Sequence, residues 1–282
     1  AALALLATTA GARADRIGPI ASPAERALRS QVVVVGKVTS VEKATIDAPL
    51  YPGAANKVAH TIAVVKVESG LAGADGLTHI KVGFVTPAAE KDGGIRPGRG
   101  PNNPELKVDQ EWLFFLAKNA DGGFHVMPYM TPPVGTGAAE YKASVESAKK
   151  VLAAVADPAK ALKAESAQAR FAAAVAIVYK LRVPAEGAGA EFDNVALTAA
   201  ESRPVLKALA EGAWKSDRAS DTLSGYSAFA LLGLTAADGW KPTQPKPGED
   251  FLEHTRAEFA KWLDGPGAGY RVNKRVPKAA KK

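Results

Sequence analysis

Gly36-Lys37 is the pair in this chain closest to phosphate chemistry, because it closes the apolar run QVVVVGKVTSVE, Gln31 to Glu42. A phosphate loop needs several flexible residues before Gly-Lys, then a helix whose N-terminus faces the anion. Here four valines lead straight into Gly36, and VTSVEKATI continues with β-formers. Amides in a continuing strand are committed to their neighbours and cannot converge on an anion. The stretch therefore reads as a strand, with Gly36 marking a bulge or bend.

The other reactive side chains are scattered. His60, His79, His125 and His254 lack the close spacing of a histidine metal site. His125, Met127 and Tyr129 share one strand face, but one imidazole and one thioether do not hold a metal. LSGYS, Leu223 to Ser227, has the wrong order for a nucleophile elbow. The acids Glu249-Asp250 and Asp217/Asp221 stand where helices should start, and there they act as caps. The chain contains no cysteine, which excludes disulfides, thiolate-held zinc, iron–sulfur clusters and a thiol nucleophile. No catalytic set, metal or cofactor is assigned. A Ser/His/Asp set drawn from distant residues stays open.

Three features could bind rather than react. The long Pro/Gly-rich segment Thr86–Lys107 carries Arg96 and Arg99 and suits an anionic or glycan partner. The aromatic set Trp112, Phe114, Phe115, Phe124 and Tyr129 offers core packing or a recognition face, with Tyr129 the residue to watch. The last twelve residues, RVNKRVPKAAKK, hold six basic groups and no acid, including Lys274 and Arg275. With Arg13 they account for the whole net charge of +7. The excess is thus a tail, suited to weak contact with anionic surfaces, and not a nucleic-acid-binding face.

The elements that would position these residues change character near residue 135. Strands are expected near 31–46, 58–68, 77–86, 110–118 and 123–130, joined by Gly-rich turns. After MTPPVGTG, alanine, leucine, lysine and glutamate dominate and helices follow. Tyr141, Val145, Ala148 and Leu152 form one stripe, and Phe171, Val175, Val178 and Leu181 another. Asp157-Pro158 separates the two. Thr198 with Glu201 reads as a capping box, and Leu252, Phe259 and Trp262 mark a last helix. The breaks between short helices suggest stacked helical hairpins.

AALALLATTAGARAD reads as the apolar core of a secretory signal, with Ala12-Arg13-Ala14 as a small-x-small cleavage pattern before Asp15. No later run approaches the ~20 apolar residues of a membrane span. The organisation read is a residual signal peptide (1–14), a linker or short helix (15–30), a β-module (31–134), a helical domain (135–270) and a basic tail (271–282).

VVVVGKVTSVE, VAHTIAVVKVESGLAGADGLTHIKV and KVDQEWLFFLAK resemble, in order, the strands of netrin/TIMP-type OB-fold modules. The resemblance covers residues 31 to 130, about a third of the chain. It implies a small OB-like antiparallel β-barrel, so the expected class is α+β, a barrel followed by an all-helical C-terminal domain of helical hairpins. TIMP-type inhibition needs an N-terminal cysteine, which this chain lacks, so that activity does not carry over. The arrangement also resembles uncharacterised exported bacterial proteins that join such a module to a helical tail. The expectation is an exported, non-enzymatic binding or scaffold protein of the envelope or extracellular space. Its partner would be a protein or an envelope polymer. The alternatives are a hydrolase acting on an envelope polymer and a cysteine-free proteinase inhibitor.

Overall fold

The valine run is the wall of a sheet. In a computed structural model, which describes residues 21–50, 52, 54, 56–85, 104–119, 123–128, 131–187, 191–214 and 223–278, strand β1 spans Val32–Pro49. Gly36 lies in it with partners on both sides, Val67 on one neighbour and Trp112 on the other. The β1–β2 register shifts between Val35 and Gly36. A Cβ at Gly36 would lie 2.6 Å from Val65 Cγ1 and 2.8 Å from the Lys66 carbonyl oxygen. Only glycine lets the neighbouring strand come this close, so Gly36 serves packing and the phosphate-loop reading is excluded.

The chain is a mixed α+β protein. Strands β2 (Lys57–Ala72), β3 (His79–Phe84), β4 (Glu111–Asn119), β5 (Phe124–Val126) and β6 (Val134–Gly135) complete the sheet. Its order is β1-β2-β3-β5-β4-β6, and β4 also pairs with β1. All pairings are antiparallel except β3 with β5. Alternation gives the strands two faces. Val32, Val34, Val65, Val82, Phe114 and Leu116 meet one another in one core. Val33, Leu113, Phe115 and Val134 face the other way and are covered by helices.

The covering helices are α1 (Pro23–Arg29) and α2 (Tyr141–Ala156). Ala27 of α1 and Val145, Ala148 and Leu152 of α2 fill the outer face of the sheet. The compositional change near 135 therefore marks a change of element and not a break in packing, because α2 belongs to the sheet's layer. Likewise α1, read from sequence as a linker or short helix, is wedged between the halves. Leu28 packs on Ala176 and Tyr179 of α4 (Ala167–Arg182). The Tyr179 hydroxyl donates to Glu25 Oε1 at 2.6 Å. Lys180 Nζ caps α1 on the Leu28 carbonyl at 2.7 Å. On the sheet side Arg26 donates to the Pro132 carbonyl at 2.7 Å. Arg29 reaches Glu186 as well as Glu25.

The helices α3 (Pro158–Ala161), α5 (Ala199–Glu211) and α6 (Gly225–Leu232) pack against α4, and α7 (Phe251–Asp264) packs on α5. Eight residues of α4 are buried, from Phe171 to Tyr179, because FAAAVAIVY is apolar at nearly every position. A helix without a polar face is covered on all sides. Thr198 caps α5 and forms the capping box with Glu201. Asp250 caps α7, and Phe259 and Trp262 are buried with Leu252 packed beside them. No helix among the described residues is long and apolar enough to cross a membrane.

The basic tail departs from expectation. Asn273–Pro277 forms strand β8, paired antiparallel with β7, Phe192–Ala196. Neither strand shows an alternating apolar pattern, and the pairing joins segments about eighty residues apart. The sequence signal was a charge run, and long-range pairing overrode it. Residues 1–14, Arg96, Arg99, most of the Thr86–Lys107 segment, Tyr129 and Asp217/Asp221 lie outside the described residues.

Candidate functional site: a cationic-rimmed apolar groove

The β7–β8 ribbon splits the two tail residues singled out from sequence. Successive side chains of a strand point to opposite faces. Arg275 lies over the Phe192 ring, its guanidinium carbon 4.8 Å from the centroid, a cation–π contact on one face. Lys274 points to the other face, opposite Val195, and lines a groove beside α3, α4 and α5.

That groove has a volume of about 630 Å³. Leu162, Ile177, Leu181, Leu197, Pro204 and Val205 make its apolar lining, and Lys163, Glu201 and Lys274 carry its charges. Its walls follow from local structure. Asp157 ends α2 and caps α3, which places Pro158 and Leu162 along one side. Ile177 and Leu181 are one turn apart on α4 and form the floor. The α5 N-terminus, anchored by Thr198, forms the far side with Ala200 and Pro204. Val195 stands half-exposed at 51% on the Lys274 face and extends the apolar path outward.

The rim charges are not equivalent. Glu201 is engaged, because its carboxylate accepts from the Thr198 amide at 2.9 Å and the Thr198 hydroxyl at 2.6 Å. Those hydrogen bonds hold its pKa below the ordinary carboxylate value. Lys163 and Lys274 form no ion pair among the described residues. The positive end of the α5 dipole adds the same sign at Ala200. Among the described residues the groove thus sets two lysines against one glutamate, a net positive charge beside apolar surface.

Two other concavities differ in kind. One of about 580 Å³ lies across α3 and is lined mainly by alanines, from Ala153 to Ala173. One of about 670 Å³ lies at the sheet edge by Trp112 and Gly135. In the latter Lys37 is already paired with Asp109 at 2.9 Å, and Glu111 accepts from the Tyr141 hydroxyl at 2.7 Å.

No histidine is among the described lining residues of the groove. His60 is buried, with Nε2 3.2 Å from the Pro49 carbonyl and its ring 5.2 Å from that of Phe124. Burial pushes the pKa of both His60 and His125 below the usual histidine value. His79 pairs with Lys66 across β2 and β3. No group of three or more His, Asp or Glu able to hold a metal occurs among the described residues. Ser224, in the LSGYS segment, caps α6 and hydrogen-bonds Ser227.

His254 is the histidine built to be charged. Its Nδ1 lies 3.1 Å from Glu249 Oε1, and its Nε2 lies 3.1 Å from the Thr243 carbonyl. Both nitrogens face acceptors, and the Glu249 hydrogen bond raises its pKa. A raised folded-state pKa stabilises fully below the unfolded value, ~6.5, and that contribution is lost as pH rises through the folded value. NMR titration should show His254 ionising above the usual histidine range. Glu249→Gln should bring it down, and an unchanged midpoint in that variant would refute the pairing.

No protein-family model matches the chain, and no curated protein matches it. Lys163 and the apolar lining escaped the sequence reading because their side chains converge only after four separate elements pack. The available hint was KALK, Lys160 to Lys163, just past the Asp157-Pro158 break.

Proposed function

We propose that the protein is an exported, non-enzymatic binding protein of the cell envelope or extracellular space, and that the groove beside Lys274 is its ligand site. The chain would join an OB-like barrel to a helical body. The return of β4 onto β1, with β3 and β5 parallel, supports the barrel and its likeness to netrin/TIMP-type modules. AALALLATTAGARAD, with its Ala12-Arg13-Ala14 pattern, supports export. The observation that carries binding is the groove itself, apolar along its length and rimmed by two lysines that form no ion pair among the described residues. Small-molecule sites combine an apolar lining with a few polar groups that fix orientation.

Mass spectrometry of the protein isolated from its native host tests both parts. The mature chain should begin at Asp15 and carry a bound small molecule. Ala200→Trp, an exposed substitution that fills the groove, should remove that molecule without loss of fold. An unprocessed chain would overturn export. A wild-type chain carrying no more than the Ala200→Trp variant would overturn the site.

A further inference from the structure

We infer that the groove's ligand is a free long-chain fatty acid, with its aliphatic chain against Leu162, Ile177, Leu181 and Leu197 and its carboxylate between Lys163 and Lys274. This rests on the reading of the groove as the ligand site and names its occupant. Four features of the groove select that chemistry. Its volume, about 630 Å³, lies within the roughly 300–1,000 Å³ of single small-molecule sites, which takes one chain rather than two. Among the described residues its lining is aliphatic and contains no aromatic side chain, so they offer no platform for stacking a ring. The basic groups at its rim are lysines, and no arginine is among the described lining residues. Bidentate recognition of phosphate favours the arginine fork, whereas an ammonium is a point charge. The one acid among the described lining residues, Glu201, is turned to its Thr198 cap and stands against two lysines, so an incoming carboxylate meets net positive charge.

The occupant's two ends make separable predictions. Chain burial should tighten affinity about fourfold per buried methylene until the groove is full. The carboxylate should add about tenfold over an uncharged head group, and less at high salt.

Calorimetric titration with octanoate, palmitate, hexadecanol and hexadecyltrimethylammonium tests both ends. Palmitate should bind once per chain, far more tightly than octanoate and about tenfold more tightly than hexadecanol. The cation should bind weakest. The double variant Lys163→Met/Lys274→Met should reduce palmitate to the level of hexadecanol and leave hexadecanol unchanged. Both lysines are exposed, so the variant keeps the fold. Ala200→Trp should abolish both ligands. Equal affinity for palmitate and hexadecanol, or palmitate binding unaffected by the double variant, overturns the assignment. Absence of palmitate binding, with another molecule still displaced by Ala200→Trp, overturns the fatty acid but keeps the site. A dimer in sedimentation that Ala200→Trp converts to monomer overturns the assignment in favour of a second copy of this chain.

Discussion

Trp214→Ala should lower the stability of the helical half by about 3–5 kcal/mol, the cost of truncating a buried tryptophan. Trp214 is 1% exposed, and its indole N–H donates to the Leu209 carbonyl at 2.9 Å. Its ring is within 5.0 Å of Phe229 and 5.9 Å of Phe259, centroid to centroid. These join a ladder that continues through Trp262 to Tyr270. Phe171 closes over the same site. A Cβ at Gly225 would lie 2.4 Å from Trp214, and one at Gly212 1.9 Å from Phe171. With two glycines already pressed against the rings, the surroundings cannot collapse easily into the void, which favours the upper end of the range. Near-UV circular dichroism during urea unfolding should show an early loss of the aromatic signal. A midpoint within error of wild type would mean that this cluster does not hold the helices together.

Glu25→Ala should cost less, about 1–3 kcal/mol, by a different route. Glu25 is 5% exposed. Its removal strips Tyr179 of its acceptor and Arg29 of one of its two carboxylates. Arg29 Nε is buried with no hydrogen-bond partner among the described residues, while the same guanidinium keeps Glu186. The larger loss is the Tyr179 hydroxyl, which is left buried without its acceptor. The effect should also be directional. Because α1 links the sheet to α4, wild type should unfold in one transition seen by both halves. In Glu25→Ala the Trp112 environment and the helical aromatic cluster should part into two transitions. Coincident transitions in the variant would show that apolar contacts, Leu28 on Ala176 above all, suffice to couple the halves.

Most elements were legible because their residues interact locally. The valine-rich strands, the α2 stripe, the Asp157-Pro158 break and the Thr198–Glu201 box each announce themselves within a few positions. What was hidden depended on distance. PAERALR is too short to show a period, and its four buried positions are two alanines, a glutamate and a single leucine, so nothing in it announces a core element. FDNVA and NKRVP carry few β-formers, and each needs the other to become a strand. The candidate site was legible only as Lys274, taken for part of a solvated tail. Arg275, beside it, was grouped with it by charge, yet strand alternation sends it to the other face. Lys163 and the aliphatic lining could be recognised only after α3, α4, α5 and β8 were placed together.

The clasp formed by α1 has a consequence for how the molecule is made. A ribosome releases Glu25 long before Tyr179, which lies 154 positions later. Until α4 has emerged, the Glu25 carboxylate lacks the Tyr179 hydroxyl that donates to it, and Leu28 lacks its cover. Contacts across such a separation slow the search for the native state. The nascent chain should therefore stay pliable until late in synthesis, and a polypeptide that locks late can be threaded through a narrow pore before it stiffens.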